Sequence, residues 1–491
     1  MAATCRRLGI PTVAVYASND AGSKHVTEAD EAICLGFNSS TAAYTDLPSL
    51  LNAIRETGAD AVHPGYGFLS ENAEFANAVQ ELQVETETDE TKVAAVKWLG
   101  PPAQAITDMG CKLRSKDIAR DAGVAIIPGC DDGALDSVDE ALNLMKYNNS
   151  NGLEYPVLLK AAAGGGGKGM RICRNDQELI EGFPLAQSEG LKFFADDRLL
   201  LEQYLENPHH IEFQVICSKR DDGDSPAIDV AIFVERECSI QRRNQKVVEE
   251  SPSCLLTEAT RRQMMEQTAF LCQTVGYEGA GTVEWLVVDQ RHNRNKVGES
   301  SSNTPPPQKF FFLEMNTRLQ VEHPITEAVS HNVDLVEAML EVGSGRGLPE
   351  DWYKTAEVLD TANNNKGKML VMPWKGHSIE GRIYAEDPLR GYMPSTGPLV
   401  PYKEPLQARS YVDYGEETDG SYLRLDSGVV EGHVGEYNIL EPREGRGVAC
   451  PTSDHHTLPS IGYNLSSQRT NLTRNELFFA VSFFSCYSFF G

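Results

Sequence analysis

Glu284 and Glu314 are carboxylates placed where a charge is hardest to keep. The first lies in Gly281-Thr282-Val283-Glu284-Trp285-Leu286 and the second in Phe311-Phe312-Leu313-Glu314-Met315-Asn316, both strongly apolar, strand-like runs. Burying an unpaired carboxylate is costly. If the two strands are neighbours, a Mg²⁺ ion between the carboxylates removes that cost and leaves coordination sites for phosphate oxygens. Strand alternation puts Asn316 on the face of Glu314, giving a third oxygen ligand. The competing reading is two separate ion pairs to lysine or arginine.

The residues that follow are Thr317-Arg318-Leu319-Gln320-Val321-Glu322-His323-Pro324. Arg318, Gln320 and Glu322 share one face if the chain stays extended. A fixed cation, an amide and a base together suit a small oxyanion that must lose a proton. Upstream, Gln241-Arg242-Arg243-Asn244-Gln245-Lys246 is a basic patch in an acidic protein, which is either part of that chemistry or a solvated face. The strongest short motif is Lys160-Ala161-Ala162-Ala163-Gly164-Gly165-Gly166-Gly167-Lys168-Gly169-Met170. Glycines between two strands expose N–H groups that fold over phosphates, and Lys160 and Lys168 add charge. The lysine precedes glycine rather than Ser or Thr and a strand rather than a helix, so this is not a Walker A loop. The alternative is a flexible surface loop.

Elements able to hold these groups follow from periodicity. Pro11–Tyr16, Ala32–Leu35 and Ala59–His63 read as strands, with a helix over Leu50–Thr57, an alternation that marks βα units and a mostly parallel sheet. The acidic run Glu81–Glu90 reads as a loop or solvated helix. A helix is expected over Gly110–Gly123, and strands over Pro156–Lys160 and Met170–Cys173 on either side of the glycine loop. Leu199–Tyr204, His210–Cys217 and Ala227–Glu235 read as strands of one antiparallel sheet. Gly281–Val288 and Lys309–Met315 follow, joined by the polar insert Gln290–Gln308, and a second strand-rich region covers Ile379–Tyr384 and Tyr422–Leu425. The fold class is α/β.

The chain of 491 residues is large enough for several domains, and its formal charge of −27 argues against nucleic acid or an anionic membrane as partner. Its 11 cysteines form no CxxC pair, which points away from a zinc site or disulfide framework. Met1–Ile10 does not read as a signal or transit peptide, and Phe478–Gly491 is about half a membrane span. A soluble protein is expected.

Together these segments resemble the biotin carboxylase family of the ATP-grasp superfamily. The matching stretches are His63–Asn72, Gly164–Met170, Glu235–Lys246, Gly279–Trp285, Glu314–Pro324 and Arg382–Pro388, within roughly residues 5–434. Asp196–Leu200, Glu235–Glu250 and Asn244 are most similar to the propionyl-CoA carboxylase α branch. The resemblance implies a Rossmann-like N-terminal domain at 1–110, an ATP-grasp domain at 111–345 with a glycine-rich lid at about 130–205, and a partial C-terminal domain at 365–435. It leaves 436–491 as a tail without counterpart.

By the same resemblance, Lys160, Gly164, Gly165, Gly166, Gly167, Lys168 and Gly169 contact ATP phosphates, and Glu202, Tyr204 and Leu205 belong to the adenine-binding linker. His210, Gln241 and Arg120 join the nucleotide site, Arg120 standing where a lysine is usual. Glu284, Glu314 and Asn316 match ligands of Mg²⁺ or Mn²⁺. Arg318, Gln320 and Val321 match the bicarbonate site, Glu322 its base, Lys246 a cation at the transferring phosphate and Arg382 a cation steadying the biotin enolate. The implied reaction is ATP-dependent carboxylation of biotin through carboxyphosphate. Implied partners are a biotin carboxyl carrier domain, a carboxyltransferase β subunit and further copies in an oligomer, and the implied compartment is the mitochondrial matrix.

Four departures set expectations of their own. The family's opening strand is absent before Cys5, the short strand expected between Val79 and Gly100 is replaced by the acidic run, Arg120 replaces lysine, and similarity ends near Gly432–Val434. No Ala-Met-Lys-Met biotin-attachment motif occurs, so biotin must come from elsewhere. Such a chain is expected to fold poorly, because a parallel sheet lacking a central strand strands its neighbours' polar groups. The alternatives are another ATP-grasp carboxylate ligase, or an inactive truncated paralogue or gene-model fragment.

Overall fold

A computed structural model describes residues 1–36, 40–86, 89–130, 134–147, 153–162, 169–194, 196–221, 226–289, 308–330, 333–360, 367–384 and 386–394. Beyond these it describes 397–398, 402–404, 408–409, 423–428, 434–435, 444–448 and 477–484.

The N-terminal region alternates short strands and helices. Val13–Tyr16 runs parallel to Glu31–Cys34, and Ala61–Val62 runs parallel to Lys97–Trp98. Among the described residues these remain two separate two-stranded sheets. One apolar cluster joins them, with Leu50, Ile54, Phe75, Val79, Trp98 and Ile106 at its centre. Its helices have well-defined ends. Leu47–Thr57 starts at Asp46, whose carboxylate accepts the Ser49 N–H, and Ala73–Gln80 starts at Asn72, which accepts the Phe75 N–H at 2.7 Å. Such caps satisfy donors that a helix leaves over.

The acidic run differs from expectation. It forms an antiparallel hairpin, Gln83–Thr86 against Asp89–Ala95, rather than a loop or helix. Its charge hides a period-two pattern in which Val84, Thr86, Thr91 and Val93 supply β-branched residues, and these favour extended backbone. The short strand expected to be lost there is present directly afterwards as Lys97–Trp98.

A three-stranded sheet, in the order Met170–Cys173, Val157–Ala161, Leu199–Gln203, forms a small separate layer. Helices Val138–Tyr147 and Asp176–Phe194 accompany it, and its core holds Leu159, Leu179, Phe183 and Leu199. Leu199–Gln203 therefore pairs with Val157–Ala161 rather than with His209–Asp221, contrary to the single antiparallel sheet expected. The separation occurs at Glu206-Asn207-Pro208, where Asn207 takes φ 47 and Pro208 has no N–H to donate.

Among the described residues the large sheet has thirteen strands, and Lys246, Glu284 and Glu314 lie on three of them. His209–Asp221 is flanked by Gly279–Val288 and Pro226–Ile232, and Gly279–Val288 in turn pairs with Lys309–Asn316. Arg236–Arg242 and Gln245–Ser251 form a hairpin through Arg243 and Asn244, both at positive φ. His377–Tyr384 pairs with Gln245–Ser251, so the second strand-rich region continues this same sheet. Two strands of the tail, Glu444–Val448 and Leu477–Phe484, join it as well. The helix Glu258–Val275, capped by Thr257 and ended by Gly276 at φ 66, packs over a core that includes Phe213, Met264, Trp285 and Phe312. The helix expected over Gly110–Gly123 is Lys112–Asp121, set off from Ala103–Gly110 by extended Cys111. Most of the insert Gln290–Gln308 lies outside the described residues. At its end Gln308 accepts from the Thr257 N–H and donates to the Leu255 carbonyl. Among the described residues no helix is long and apolar enough to cross a membrane.

Candidate active site

Strand register brings the two carboxylates together. Glu284 stands directly opposite Glu314, and Thr282 opposite Asn316, so all four side chains share one face of the sheet. The other face carries Val283, Trp285 and Met315 into the core. Glu284 is densely partnered. Its Oε2 lies 2.7 Å from His210 Nε2, while its Oε1 lies 3.2 Å from Lys246 Nζ and accepts from Asn316 Nδ2 and Gln320 Nε2, both at 2.8 Å.

The electrostatics follow from these contacts. Burial opposes ionisation of Glu284, but Lys246 and His210 outweigh it and hold the carboxyl below the usual range. Glu314 goes the other way, pushed up by burial and by Glu284 opposite, with Lys112 as its nearest relief. Burial pulls His210 down, yet Glu284 carries it above the usual imidazole value. Two facing carboxylates of which one resists ionisation are what a divalent cation would resolve, and the carboxylate oxygens of Glu284 and Glu314 are the donors that Mg²⁺ prefers, with the Asn316 amide turning its nitrogen to Glu284 and its oxygen to Arg318. His210, Glu212 and Glu284 also have ligand atoms mutually within 4.8 Å.

Lys246 is the centre of charge. Its ammonium contacts Glu212, Glu284 and Glu322, the last at 2.6 Å, and although burial opposes the charge these carboxylates raise its pKa well above the ordinary lysine value. Glu322 is held on its other oxygen by Arg382 at 3.0 Å, and Arg382 reaches Glu249 at 2.6 Å. Gln241 Nε2 sits 3.1 Å from His210 Nδ1.

The run Arg318–Glu322 is not one extended face. The chain leaves the strand after Asn316, turns at Val321 and Glu322, and enters the helix His323–Val329. The turn arises because Pro324 occupies the first helical turn, where its missing N–H costs nothing. Gln320 and Glu322 still converge on the Lys246 cluster, both nearly fully buried. Arg318 turns to the N-terminal region instead. It donates to Glu71 Oε2 at 3.0 Å and to Asn316 Oδ1 at 3.2 Å, and lies 4.5 Å from the Tyr66 ring centre. Val321 is buried in the turn.

A second charge cluster lies where the three-stranded layer meets the helix Lys112–Asp121. Lys160 Nζ is 2.7 Å from Glu202 Oε2, and Lys116 contacts the other Glu202 oxygen. Burial pushes Lys160 well below the usual lysine value and Lys116 down to about 8, with Glu202 as the carboxylate between them. A small cleft here is lined by Lys116, Arg120, Ile127, Cys130 and Glu202. Arg120 pairs with Asp117 at 2.7 Å at the rim. The Tyr204 N–H donates to the Pro156 carbonyl, and Leu205 follows on the connection to the large sheet. Gly164, Gly165, Gly166, Gly167 and Lys168 lie outside the described residues, while Gly169 takes φ +67 at the loop's end.

Sequence reasoning gave no role to several residues of these clusters: Tyr66, Glu71, Lys112, Lys116, Glu212, Arg236 and Glu249. Lys112 and Lys116 had a signal, since a spacing of four puts both on one helix face. Tyr66, Glu71, Arg236 and Glu249 lie in stretches that carry the resemblance, but they, like Glu212, give no local sign of partners that lie far away in sequence.

Comparison with known proteins follows the same division of the chain. Residues 1–106 match the family model described as biotin carboxylase, N-terminal domain, and residues 112–351 match that of the carbamoyl-phosphate synthase L chain, ATP binding domain. The propionyl-CoA carboxylase alpha chain of Ruegeria pomeroyi is 43% identical over 437 residues, covering 87% of this chain and 55% of that protein. The mitochondrial counterpart of Caenorhabditis elegans is 43% identical over 430 residues, 87% of this chain and 49% of its own. This chain thus spans about half the length of these relatives. Biotin carboxylase 1 of Bacillus subtilis is 39% identical over 401 residues, 82% of this chain and 76% of its own. Among solved structures, the biotin carboxylase–β,γ-ATP complex from Campylobacter jejuni shares 33% identity at a TM-score of 0.70, covering 91% of this chain and 83% of that one. The biotin carboxylase domain of 2-oxoglutarate carboxylase from Hydrogenobacter thermophilus, in complex with MgADP, ADP and bicarbonate, shares 35% at 0.68, covering 92% and 83%.

Proposed function

The chain belongs to the biotin carboxylase family of the ATP-grasp superfamily, and from that premise we propose that it carboxylates biotin with bicarbonate, using ATP. The observation that carries the proposal is Lys246, whose ammonium meets Glu212, Glu284 and Glu322 beside the facing pair Glu284 and Glu314. In this reading Lys246 is the phosphate-directed cation, Glu322 from the turn is the base, and Glu284 with Glu314 on the strands are the cation-binding carboxylates.

In this reading bicarbonate attacks the γ-phosphate of ATP to give carboxyphosphate and ADP. Arg318, Gln320 and the backbone at Val321 hold the anion, and Glu322 takes its proton. Phosphoryl transfer depends on positioning and charge neutralisation. Lys246 neutralises the transferring group, Lys160, Lys116, Glu202, His210 and Gln241 with the linker at Tyr204 and Leu205 position the nucleotide, and Arg120 closes its rim. Glu284, Glu314 and Asn316 would hold Mg²⁺ or Mn²⁺, which supplies further charge to the phosphate oxygens. Carboxyphosphate then releases CO₂, and the phosphate left behind takes the proton from biotin N1. Arg382, already held by Glu249 and Glu322, steadies the resulting enolate as it captures CO₂. The glycine-rich lid expected at about 130–205, of which Gly164–Lys168 lie outside the described residues, would exclude water from a readily hydrolysed intermediate.

The domain limits proposed are 1–110, 111–345 and 365–435. By analogy with the relatives named propionyl-CoA carboxylase, the biotin is presented on a carrier domain, and the carboxyl group passes to propionyl-CoA on a carboxyltransferase subunit. The mitochondrial relatives support a matrix location in a eukaryotic host. The experiment is ATP cleavage by the purified chain with Mg²⁺. Cleavage that requires bicarbonate and rises with free biotin supports the proposal. Cleavage that responds to another carboxylate and an amine instead, or none at all from a folded chain, refutes it.

A further inference from the structure

Arg236, on the strand Arg236–Arg242, is wholly buried and yet lies off the surface that the proposed reactants touch. All five of its N–H bonds find acceptors. Nε donates to Glu212 Oε1 at 2.6 Å, Nη1 to Gln214 Oε1 at 3.0 Å and Thr326 Oγ1 at 2.9 Å, and Nη2 to Thr282 Oγ1 at 3.3 Å and Gln320 Oε1 at 2.7 Å. A guanidinium has donors only. The group facing it on Gln320 must therefore be the oxygen, which leaves Nε2 turned towards Glu284, to which it donates at 2.8 Å. That nitrogen carries a second N–H, for which no further acceptor is found among the described residues.

The same cation reaches Lys246 through one carboxylate. Glu212 gives Oε1 to Arg236 and Oε2 to Lys246, and Lys246 then holds Glu322. Thr326 ties the guanidinium to the helix His323–Val329 that begins immediately after Glu322. A single planar fork thus fixes an amide, a carboxylate and a helix start around one small volume.

We propose that Arg236 is the positioning residue of the bicarbonate subsite, setting the Gln320 amide so that its nitrogen, and not its oxygen, faces the anion. This rests on the reading of Gln320 as a bicarbonate contact. Without Arg236 the amide is free to rotate, and the oxygen then repels the anion it should bind.

The test uses the full chain as wild type, Arg236→Lys, Gln320→Ala and the double variant, with bicarbonate and ATP KM values from bicarbonate-dependent ATP cleavage and a thermal melt of each. Arg236→Lys keeps the charge and loses the fork, so bicarbonate KM rises about tenfold or more while ATP KM stays within about twofold. Because Arg236 acts through Gln320, the double variant is no worse for bicarbonate than Gln320→Ala alone. Unchanged bicarbonate KM in Arg236→Lys, equal rises for both substrates, or additive effects in the double variant overturn the inference. If Arg236→Lys does not fold, the near-isosteric pair Thr282→Val and Thr326→Val loosens the guanidinium instead. It is expected to raise bicarbonate KM about threefold with ATP KM unchanged, and no change overturns the inference. A folded wild type without bicarbonate-dependent cleavage defeats the functional reading and this inference together, whereas an active wild type with an indifferent Arg236→Lys defeats the inference alone.

Discussion

Replacing Lys246 by methionine keeps most of the side-chain volume and removes the one ammonium that three buried carboxylates share. Breaking a buried ion pair by deleting one partner costs about 3–5 kcal/mol, because the other charge is left uncompensated. Here each carboxylate keeps a second partner: Glu212 keeps Arg236, Glu284 keeps His210, and Glu322 keeps Arg382. The loss is therefore placed at the lower end, about 3 kcal/mol at pH 7. The pH dependence has a definite sign. In the wild type the low pKa of Glu284 contributes stability that is present above the unfolded carboxyl value and lost as pH falls through the lower folded one. In Lys246→Met the carboxylates lose that stabilisation and bind protons more readily when folded, so the variant gains stability relative to wild type as pH falls. The gap between them should hold near its pH 7 value down to about 4.5, the free carboxyl range, and narrow as pH falls below it. The assay is urea denaturation followed by tryptophan fluorescence at several pH values, alongside biotin-dependent ATP cleavage. A gap within about 0.5 kcal/mol at pH 7, the scatter of ordinary surface substitutions, would refute the shared-cation argument. So would a gap that does not change with pH.

Glu314→Gln keeps shape and removes a charge from the proposed cation site, so carboxylation should fall by at least about 10²-fold, and near-normal turnover with Mg²⁺ would exclude the assignment. Glu71→Gln weakens the anchor of Arg318, and steady-state kinetics should show a higher bicarbonate KM with ATP KM unchanged; an unaltered bicarbonate KM would show that Arg318 needs no such anchor. Phe312→Ala empties a fully buried site beside Trp285, which should cost about 3–5 kcal/mol in chemical denaturation.

Much of the candidate site was legible before any fold was known, because its chemistry is written in contiguous segments. A carboxylate inside an apolar strand declares an unusual local environment wherever it occurs, and the runs around Glu284 and Glu314 predicted two strands that do pair in register. The glycine run between two lysines and the carboxylate Glu322 near Arg318 were visible for the same reason. Local pattern was less reliable where charge and backbone preference disagreed. The acidic run Glu81–Glu90 looked like a solvated loop, yet its alternating β-branched residues support a hairpin. Likewise, Leu199–Gln203 was correctly a strand but was assigned to the wrong sheet, since strand partners are chosen by packing rather than by the strand's own residues.

Sequence by itself determined which residue types were available and which short segments would be strand or helix, because backbone preference and apolar periodicity act over a few residues. Only the tertiary structure decided who meets whom. Glu71 reaches Arg318 across 247 positions, Lys246 reaches Glu284 across 38, and Arg236 reaches Gln320 across 84. Each pair is charged or polar; Glu71 stays exposed, while Lys246 with Glu284 and Arg236 with Gln320 are largely withdrawn from water and hold only because both members leave it together. Neither member alone carries a mark of that pairing, since the energy belongs to the contact.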